Sequence, residues 1–303
     1  MRLSRKNKFL FLKLASLFSV IRGYNIALIV LAQYLASIYI FAPQKPIRTV
    51  LFDPYLFLIV LASSLSIASG YIINNFYDAE KDYINRPQKT LLDNYVRPQT
   101  KLSVYFILNL LVVILASAVS FRAVAFFSIY IFFLWFYSHK FKKFPLIGNI
   151  TATILAIIPF FAVFIYYKNF DALIFVHATY LFLVLFMRDL TKDLGNIKGD
   201  FAQNYRTIPV AYGIKTTKLI ISFAFLLTFI PIYFLLQDGN EIGHMVYYFL
   251  ISGILLLLFT LCLWFARTKL HYTLLHLALK FILILGVFSI LLIDLNALLH
   301  KVL

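Results

Sequence analysis

A short acidic segment, residues 74–82, stands out in a chain that is otherwise largely apolar. Asn74, Asp78 and Asp82 recur at every fourth residue, so on a helix they would lie along one side. Carboxylates this close repel one another unless a cation lies between them. Mg²⁺ prefers oxygen ligands, usually one or two carboxylates together with water and phosphate oxygens. The spacing therefore predicts a site for a divalent metal ion and a phosphate group.

A second acidic cluster spans residues 188–200 and also follows a long apolar run. Asp189 and Asp193 are one helical turn apart, and Asn196 and Asp200 repeat that spacing. Two such clusters at the same depth suit two metal centres that share one ligand. We expect both clusters to contribute to a single site.

Gly195 and Gly199 lie inside this second cluster. Glycine is a poor helix former, so we expect the later turns to be loosened. Asp200 is therefore not assigned to the helix.

The two clusters together could hold Mg²⁺ ions that bind a diphosphate from opposite sides. Metal ions and basic residues would neutralise the charge that develops on the leaving group as a carbon–oxygen bond breaks. If the diphosphate carries an allylic isoprenoid, its departure leaves a resonance-stabilised carbocation that an acceptor can capture. The apolar tail would need an apolar groove, which a helix bundle rich in Phe, Leu and Ile can supply.

The elements that must position these clusters are membrane-spanning helices. Of the 303 residues 62% are hydrophobic and 13% are charged, whereas soluble domains are about half apolar and a quarter charged. Only Ser120 to Arg122 separate the third apolar run from the fourth, which predicts a tight helical hairpin. We expect an all-α polytopic membrane protein with nine transmembrane helices in one bundle. The apolar runs lie at about 23–41, 55–76, 103–120, 123–138, 146–166, 172–188, 219–236, 245–266 and 272–299.

The positive charges predict the orientation of this bundle. The formal net charge is +16, but the Lys and Arg residues are spread between the apolar runs. This distribution favours anionic lipid headgroups or an anionic substrate over nucleic acid. With the N-terminus inside, 22 Lys and Arg fall on the cytoplasmic side and five on the other. We therefore expect a multi-pass protein of the cell membrane whose N-terminus and polar mouth face the cytoplasm.

The same pattern predicts the domain organisation. Nothing in the sequence marks a boundary, so residues 1–303 are expected to form one transmembrane domain, with residues 1–21 as a basic segment on the membrane surface. The single cysteine, Cys262, excludes a disulfide within the chain. The oligomeric state is not predicted, and the residues themselves do not give the length of the prenyl chain.

The order of these residues resembles a known family. From Arg22 to about Gly213 the chain is similar to the UbiA superfamily of intramembrane prenyltransferases. The matching motifs are Arg22 with Asn25, Asn74-Asn75-x-x-Asp78-x-x-x-Asp82, Asn85-Arg86-Pro87, Tyr137-Ser138, Lys142-Lys143, Gly148-Asn149 and Arg206-Thr207-Ile208-Pro209. The residue pattern of the second cluster resembles the pattern in one branch of the family. That branch makes digeranylgeranylglyceryl phosphate, an ether-lipid precursor.

The resemblance implies Mg²⁺-dependent transfer of a polyprenyl group from its diphosphate. The expected acceptor is geranylgeranylglyceryl phosphate, and the expected donor carries a geranylgeranyl group. Catalysis would rest on Asp78, Asp82, Asp193 and Asp200. Metal would be held by Asn74, Asp78, Asp82, Asp189, Asp193, Asn196 and Asp200, and substrates would be bound by Arg22, Asn25, Tyr137, Lys142, Lys143, Asn149, Lys192 and Arg206.

The sequence departs from the family at two metal positions. Asn75 stands where many members have Asp, and Asn196 stands where the second Asp-x-x-x-Asp would begin. An amide oxygen ligates Mg²⁺ with less charge than a carboxylate. We expect Asp193 and Asp200 to carry more of the second cluster, and the metal to bind more weakly than in relatives.

Other functions remain open at this point. An aromatic acceptor, as in quinone or haem-side-chain synthesis, would use the same donor chemistry. A cation-coupled transporter would place its acids near the bilayer midplane, and a scaffold would need no metal site. For Lys280 and Asp294 in the last span, we expect snorkelling towards the cytoplasmic and outer ends, and His177 is interpreted as a packing residue.

Overall fold

The computed structural model describes residues 5–237 and 242–294. Nine helical segments in this part of the chain are long and apolar enough to cross a membrane, which confirms the predicted all-α, multi-pass architecture. The ninth predicted span runs to residue 299, and its last residues lie outside the described part. In chain order the α-helices are α1 (Arg5–Ile21), α2 (Gly23–Ala36), α3 (Ile47–Leu51), α4 (Pro54–Tyr77), α5 (Ala79–Asn85), α6 (Pro87–Asp93), α7 (Pro98–Val119), α8 (Phe121–His139), α9 (Ile147–Tyr167), α10 (Ala172–Ala202), α11 (Ile208–Gln237), α12 (Val246–Phe265) and α13 (Lys269–Ser289).

Several helices begin at capping residues that the sequence supplies. Asp53 precedes Pro54 and accepts hydrogen bonds from the backbone N–H groups of Tyr55 and Leu56 at 3.0 and 3.2 Å. Ser120 caps α8 through the N–H of Ala123 at 3.1 Å. These caps satisfy donors that a helix leaves unpaired at its start, and Ser120 confirms the predicted hairpin between α7 and α8.

Three spans extend well beyond their predicted ends. α10 continues to Ala202 rather than ending at 188, α7 begins at Pro98, and α11 begins at Ile208. The apolar runs stop at the first charged residues, whereas the helices continue past them into a polar end of the bundle. α11 is interrupted at Gly213, whose φ of 86° suits glycine.

Most buried apolar side chains belong to two large groups, and a smaller third group includes Ile72 and Tyr105. Buried side chains of α2, α4, α7, α8 and α9 form one core cluster, which includes Leu56, Val112 and Val163. Buried side chains of α10 to α13 form the other, which includes Leu190 and Leu256. Contacts between α9 and α10 join the two groups. The functional cavity described below is lined by helices from both.

A buried proline lies inside α9 and lines this cavity. Pro159 has no N–H, so the carbonyl of Leu155, four residues earlier, loses its helical partner. The hydroxyl of Tyr130 donates to that carbonyl at 3.0 Å. Gln33 Nε2 donates to the carbonyl of Pro159 at 2.8 Å. Tyr130 from α8 therefore replaces the missing hydrogen bond where no water is expected, and Gln33 from α2 adds a contact at the proline itself.

Candidate active site

The first acidic cluster lies where α4 gives way to α5. α4 ends at Tyr77, and Asp78 stands at the junction with φ −93° and ψ 4°. The helical hydrogen bonds nevertheless continue, because Asp78 N–H donates to the carbonyl of Asn74 at 2.9 Å and Asp82 N–H to that of Asp78 at 2.8 Å. Asn74, Asp78 and Asp82 all line one cavity, as their spacing predicts.

Asp78 is buried and surrounded by donors. Lys142 Nζ lies 2.8 Å from Asp78 Oδ1, and Lys81 Nζ lies 3.3 Å from the same atom. The hydroxyl of Tyr205 donates to it at 3.2 Å. Burial alone would raise the pKa of Asp78, but the two lysines outweigh it and lower that pKa to about 2. Asp78 is therefore a carboxylate at any physiological pH.

Lys81 connects the two acidic clusters. Its Nζ lies 3.5 Å from Asp200 Oδ1 as well as near Asp78. Burial opposes the charged form, yet these two carboxylates raise the pKa of Lys81 above its usual value. Asp200 is almost fully buried, and Thr207 donates to its other oxygen at 3.4 Å. The acids of α4 and α10 thus meet around one ammonium group.

The second cluster is held in place by an amide. Asn149 Nδ2 donates to Asp189 Oδ2 at 2.8 Å and to Asp193 Oδ2 at 2.7 Å. Lys192 pairs with Asp189 and lies 3.7 Å from Asp193 Oδ1. Asp189, Asp193 and Asn196 all line the cavity. The amide and the ammonium group hold two neighbouring carboxylates that would otherwise repel each other.

Asp200 is helical, so the expectation that Gly195 and Gly199 would loosen this end of α10 is wrong. The reason lies in the packing of α5 on α10. Asn85 Oδ1 accepts from Gly199 N–H at 3.2 Å, and a Cβ at Gly199 would stand 2.6 Å from Asn85 Cγ. Gly199 gives the Asn85 side chain room to approach the helix, while tertiary contacts maintain the helical backbone.

The departure at Asn75 has a structural explanation. Asn75 Nδ2 donates to Asp93 Oδ2 at 3.1 Å, and Lys101 Nζ donates to Asn75 Oδ1 at 2.8 Å. Asp93 also accepts from Ser19 at 2.8 Å. Asn75 is absent from the cavity lining. It ties α4 to α6 and α7, and its amide does not line this cavity.

The other predicted residues divide into two groups. Arg22, Asn25 and Tyr137 line the cavity, together with Lys142, Asn149 and Lys192. Lys143 and Arg206 are exposed and outside that lining, and they are joined through a backbone hydrogen bond from Arg206 N–H to the carbonyl of Lys143 at 3.0 Å. A direct role for these last two residues in substrate binding stays a prediction.

Sequence reasoning missed several cavity residues. Lys81 and Arg188 are not among the predicted site residues, although both line the cavity. Tyr205, which donates to Asp78 from outside that lining, shows no signal beyond its place before a family motif. For Lys280 we expect snorkelling towards the cytoplasmic end of its span. In the structure Lys280 lines the same cavity, and its Nζ lies 4.2 Å from the ring centre of Tyr24. Hydropathy and residue spacing within single spans do not reveal that these side chains converge.

The donor set suits a hard divalent cation. Every acidic or amide group at the two clusters offers oxygen, the ligand that Mg²⁺ prefers. Asp200 Oδ1 is buried and accepts no hydrogen bond. In the described part of the chain no three His, Cys, Asp or Glu side chains converge closely enough to hold an ion. Lysines pair with these carboxylates instead, so a metal would replace ammonium groups at oxygens that are already in position.

The cavity combines this polar end with an apolar interior. Its volume is about 670 Å³, within the range of about 300 to 1,000 Å³ typical of ligand pockets. Along α9 its lining runs from Asn149 to Pro159, ten residues or about 15 Å at the α-helical rise. Ile67, Leu134 and Leu155 line the apolar part. The arrangement fits a ligand with an anionic head and a long hydrocarbon tail.

Comparison with known proteins agrees with this geometry. Residues 30–273 match the UbiA prenyltransferase family. The digeranylgeranylglyceryl phosphate synthases of Methanobrevibacter smithii and Methanospirillum hungatei are 28% and 32% identical to this chain over 211 and 207 residues. These matches cover 66% and 67% of this chain, and 70% of each relative.

Two solved structures share the fold. One, of digeranylgeranylglyceryl phosphate synthase in membranes, has a TM-score of 0.69 at 22% identity and covers 92% of this chain and 97% of that one. The other, a UbiA homologue from Archaeoglobus fulgidus bound to DMAPP and Mg²⁺, has a TM-score of 0.63 at 14% identity and covers 91% and 98%. At these identities the likeness establishes the helical arrangement.

Proposed function

The chain belongs to the UbiA prenyltransferase family, and from that premise we propose that it transfers a geranylgeranyl group from its diphosphate to geranylgeranylglyceryl phosphate. One observation carries the proposal: two acidic clusters and three lysines converge at the polar end of a cavity whose interior is apolar. Relatives named as digeranylgeranylglyceryl phosphate synthases support the choice of acceptor.

The donor would bind with its diphosphate at the polar end and its hydrocarbon tail along α9. Lys142 and Lys192 line the cavity at that end and would offset the charge of the diphosphate. Mg²⁺ would be held by oxygens of the two clusters, namely Asn74, Asp78, Asp82, Asp189, Asp193, Asn196 and Asp200. When bound, it supplies positive charge that stabilises the leaving diphosphate. The hydrogen bonds of Asn149 would keep Asp189 and Asp193 oriented.

The reaction exchanges one carbon–oxygen bond for another. The bond between C1 of the geranylgeranyl group and the diphosphate oxygen breaks, and the diphosphate leaves with the electron pair. The free hydroxyl of the acceptor forms the new ether bond to C1 and loses its proton. The apolar walls around Leu134 and Leu155 would exclude water, which could otherwise capture the carbocation.

The membrane orientation is part of the proposal. The excess of Lys and Arg on the loops beside both acidic clusters supports placing the polar end at the cytoplasmic face of the cell membrane. The acids lie at one end of the bundle, whereas transporters hold such groups near the midplane in broken helices. A cysteine-accessibility assay at Lys140→Cys in intact cells and in inverted vesicles would test this orientation.

The direct test is an assay of purified protein with geranylgeranyl diphosphate and Mg²⁺. We expect digeranylgeranylglyceryl phosphate from geranylgeranylglyceryl phosphate, and no product when the metal is chelated. Asp78→Ala and Asp193→Ala should each lower the rate by about 100-fold or more, since each removes charge stabilisation of the leaving group. Product from aromatic acids alone would overturn the choice of acceptor.

A further inference from the structure

Three basic side chains of the cavity lie apart from the lysines of the acidic clusters. Arg22 stands at the junction of α1 and α2, Arg188 lies in α10 and Lys280 in α13. All three line the cavity. They come from three different helices, so only the tertiary fold brings them together.

These three cations have no acidic partner. Within residues 5–237 and 242–294 no carboxylate lies within 4 Å of any of them, whereas Lys81, Lys142 and Lys192 each pair with Asp. The Arg22 guanidinium lies 4.9 Å from the ring centre of Tyr71, a contact with an aromatic face instead of an anion. The contact of Lys280 with Tyr24 is of the same kind.

Arg188 is the one of the three with a buried donor that lacks a hydrogen-bond partner. Its Nε is buried without a hydrogen-bond partner. The nearest acid along the chain, Asp189, is already engaged through both oxygens, by Lys192 and by Asn149. A buried guanidinium N–H without a partner is costly because that donor has lost water and gained no hydrogen bond in return.

The three charges also repel one another. All three carry positive charge and line one cavity, so each disfavours the charge of the others. Arg22 additionally adopts a left-handed backbone conformation, with φ 51°, which is unfavourable for a non-glycine residue. Strained residues cluster at ligand sites, and an anion is the ligand that would offset the like-charge repulsion.

We propose that Arg22, Arg188 and Lys280 form a second anion subsite, which binds the phosphate of the acceptor lipid while the acidic clusters bind the donor's diphosphate. This inference rests on the proposed function and assigns Arg22 to the acceptor. Arg188 and Asp189 line the same cavity, so the acceptor's phosphate and the donor's diphosphate would be held in one chamber. Ile29 and Leu277 line the same cavity and would contact the acceptor's tail.

The test compares Lys280→Met with Lys215→Met, an equal loss of charge at an exposed lysine outside the cavity. Assays in neutral detergent without phospholipid would use geranylgeranylglyceryl phosphate and its phosphate-free analogue, geranylgeranylglycerol. We expect Lys280→Met to raise KM for the phosphate acceptor at least tenfold, and to leave KM for the phosphate-free analogue and for the donor within twofold. Lys280→Arg should restore most of the affinity, and Lys215→Met should change nothing.

An equal effect of Lys280→Met on both acceptors, or an effect on donor KM alone, would overturn the subsite. If wild-type protein makes no ether-lipid product, the proposed function fails, and equilibrium binding of radiolabelled geranylgeranylglyceryl phosphate still decides the inference. Binding that weakens at least tenfold in Lys280→Met would support the subsite without the reaction. Binding that is absent from wild type or equal in the two proteins would overturn it.

Discussion

At the scale of single residues, lysines hold the ligand atoms that a metal ion would use. Lys142 Nζ lies 2.8 Å from Asp78 Oδ1 and donates to Asn74 Oδ1 at 3.1 Å. A divalent ion bound by these oxygens must displace that ammonium group. The same lysine would then be free to offset the charge of the diphosphate. Lys142 therefore opposes binding of the metal and favours binding of the diphosphate.

We therefore predict that Lys142→Met separates metal binding from substrate binding. Metal-free protein should bind Mg²⁺ more tightly, by about fivefold, because a competing charge near Asp78 is gone. Affinity for geranylgeranyl diphosphate should fall about tenfold through loss of a charge-assisted hydrogen bond. Isothermal titration calorimetry with each ligand measures both effects.

Lys140→Met is the control, since Lys140 is exposed and outside the cavity lining. It should leave both affinities unchanged. If Lys142→Met weakened Mg²⁺ binding, the competition inferred from the contacts of Asp78 and Asn74 would be wrong.

At the scale of helices, two close packings position the site. The first joins α5 to α10, where Asn85 lies against Gly199 and also donates to the carbonyl of Asn196 at 3.2 Å. This contact fixes Asp82 on α5 relative to the acids of α10. The second surrounds Pro159 in α9, where Tyr130 and Gln33 donate to backbone carbonyls next to the apolar part of the cavity.

Gly199→Ala should detach α5 from α10. The added Cβ would stand 2.6 Å from Asn85 Cγ, and overpacking of this kind costs about 1–3 kcal/mol. We expect a lower melting temperature in detergent and a loss of prenyl transfer. Differential scanning fluorimetry and the transfer assay measure the two effects.

Gly195→Ala is a matched control in the same helix, because its Cβ would meet only Tyr272 Cβ, at an ordinary 3.6 Å. It should be neutral or stabilising, since Ala is a better helix former than Gly by about 1 kcal/mol. Equal destabilisation by the two substitutions would contradict the assigned role of Gly199.

Tyr130→Phe should destabilise the protein by about 1–2 kcal/mol, because the Leu155 carbonyl loses its partner in an apolar surrounding. The cost should shrink in a Pro159→Ala background, where the restored N–H of residue 159 can bond that carbonyl. A double-mutant cycle on melting temperature measures this coupling. Additive effects of the two changes would show that the hydroxyl and the proline act independently.

At the scale of the whole molecule, the sequence predicts the helices and the acidic clusters better than their surroundings. Apolar run length identifies every span, and the four-residue spacing brings Asn74, Asp78 and Asp82 to one cavity wall. These features are local, so periodicity and hydropathy report them. The polar extension of α10 to Ala202 escapes such analysis because charged residues end the apolar signal while the helix continues.

Long-range contacts were beyond sequence reasoning. Lys81 lies between Asp78 and Asp200, which are 122 positions apart in sequence, and Lys280 reaches Tyr24 at the other end of the chain. Asn75 looks like a weakened metal ligand until its bonds to Asp93 and Lys101 are seen. Side-chain direction at a helix end decides such roles, and residue type alone does not specify it.

We infer that the length of the cavity along α9 limits the length of the prenyl chain. Ala156 lies two helical turns, or about 10 Å, beyond Asn149 on the cavity face of α9. We predict that Ala156→Phe lowers kcat/KM for geranylgeranyl diphosphate at least tenfold, because the ring would fill the space for the distal isoprene units. Geranyl diphosphate, with half the carbon atoms, should retain its kcat/KM within about threefold.

Ile154→Phe adds similar bulk on the outer side of the same helix, where Ile154 is 47% exposed and does not line the cavity. It should leave both donors unaffected, since its ring would face lipid. Competition assays with the two donors measure the ratio directly. If Ala156→Phe reduced activity with both donors equally, the tail would not run along α9, and the groove would have to lie between other helices of the two groups.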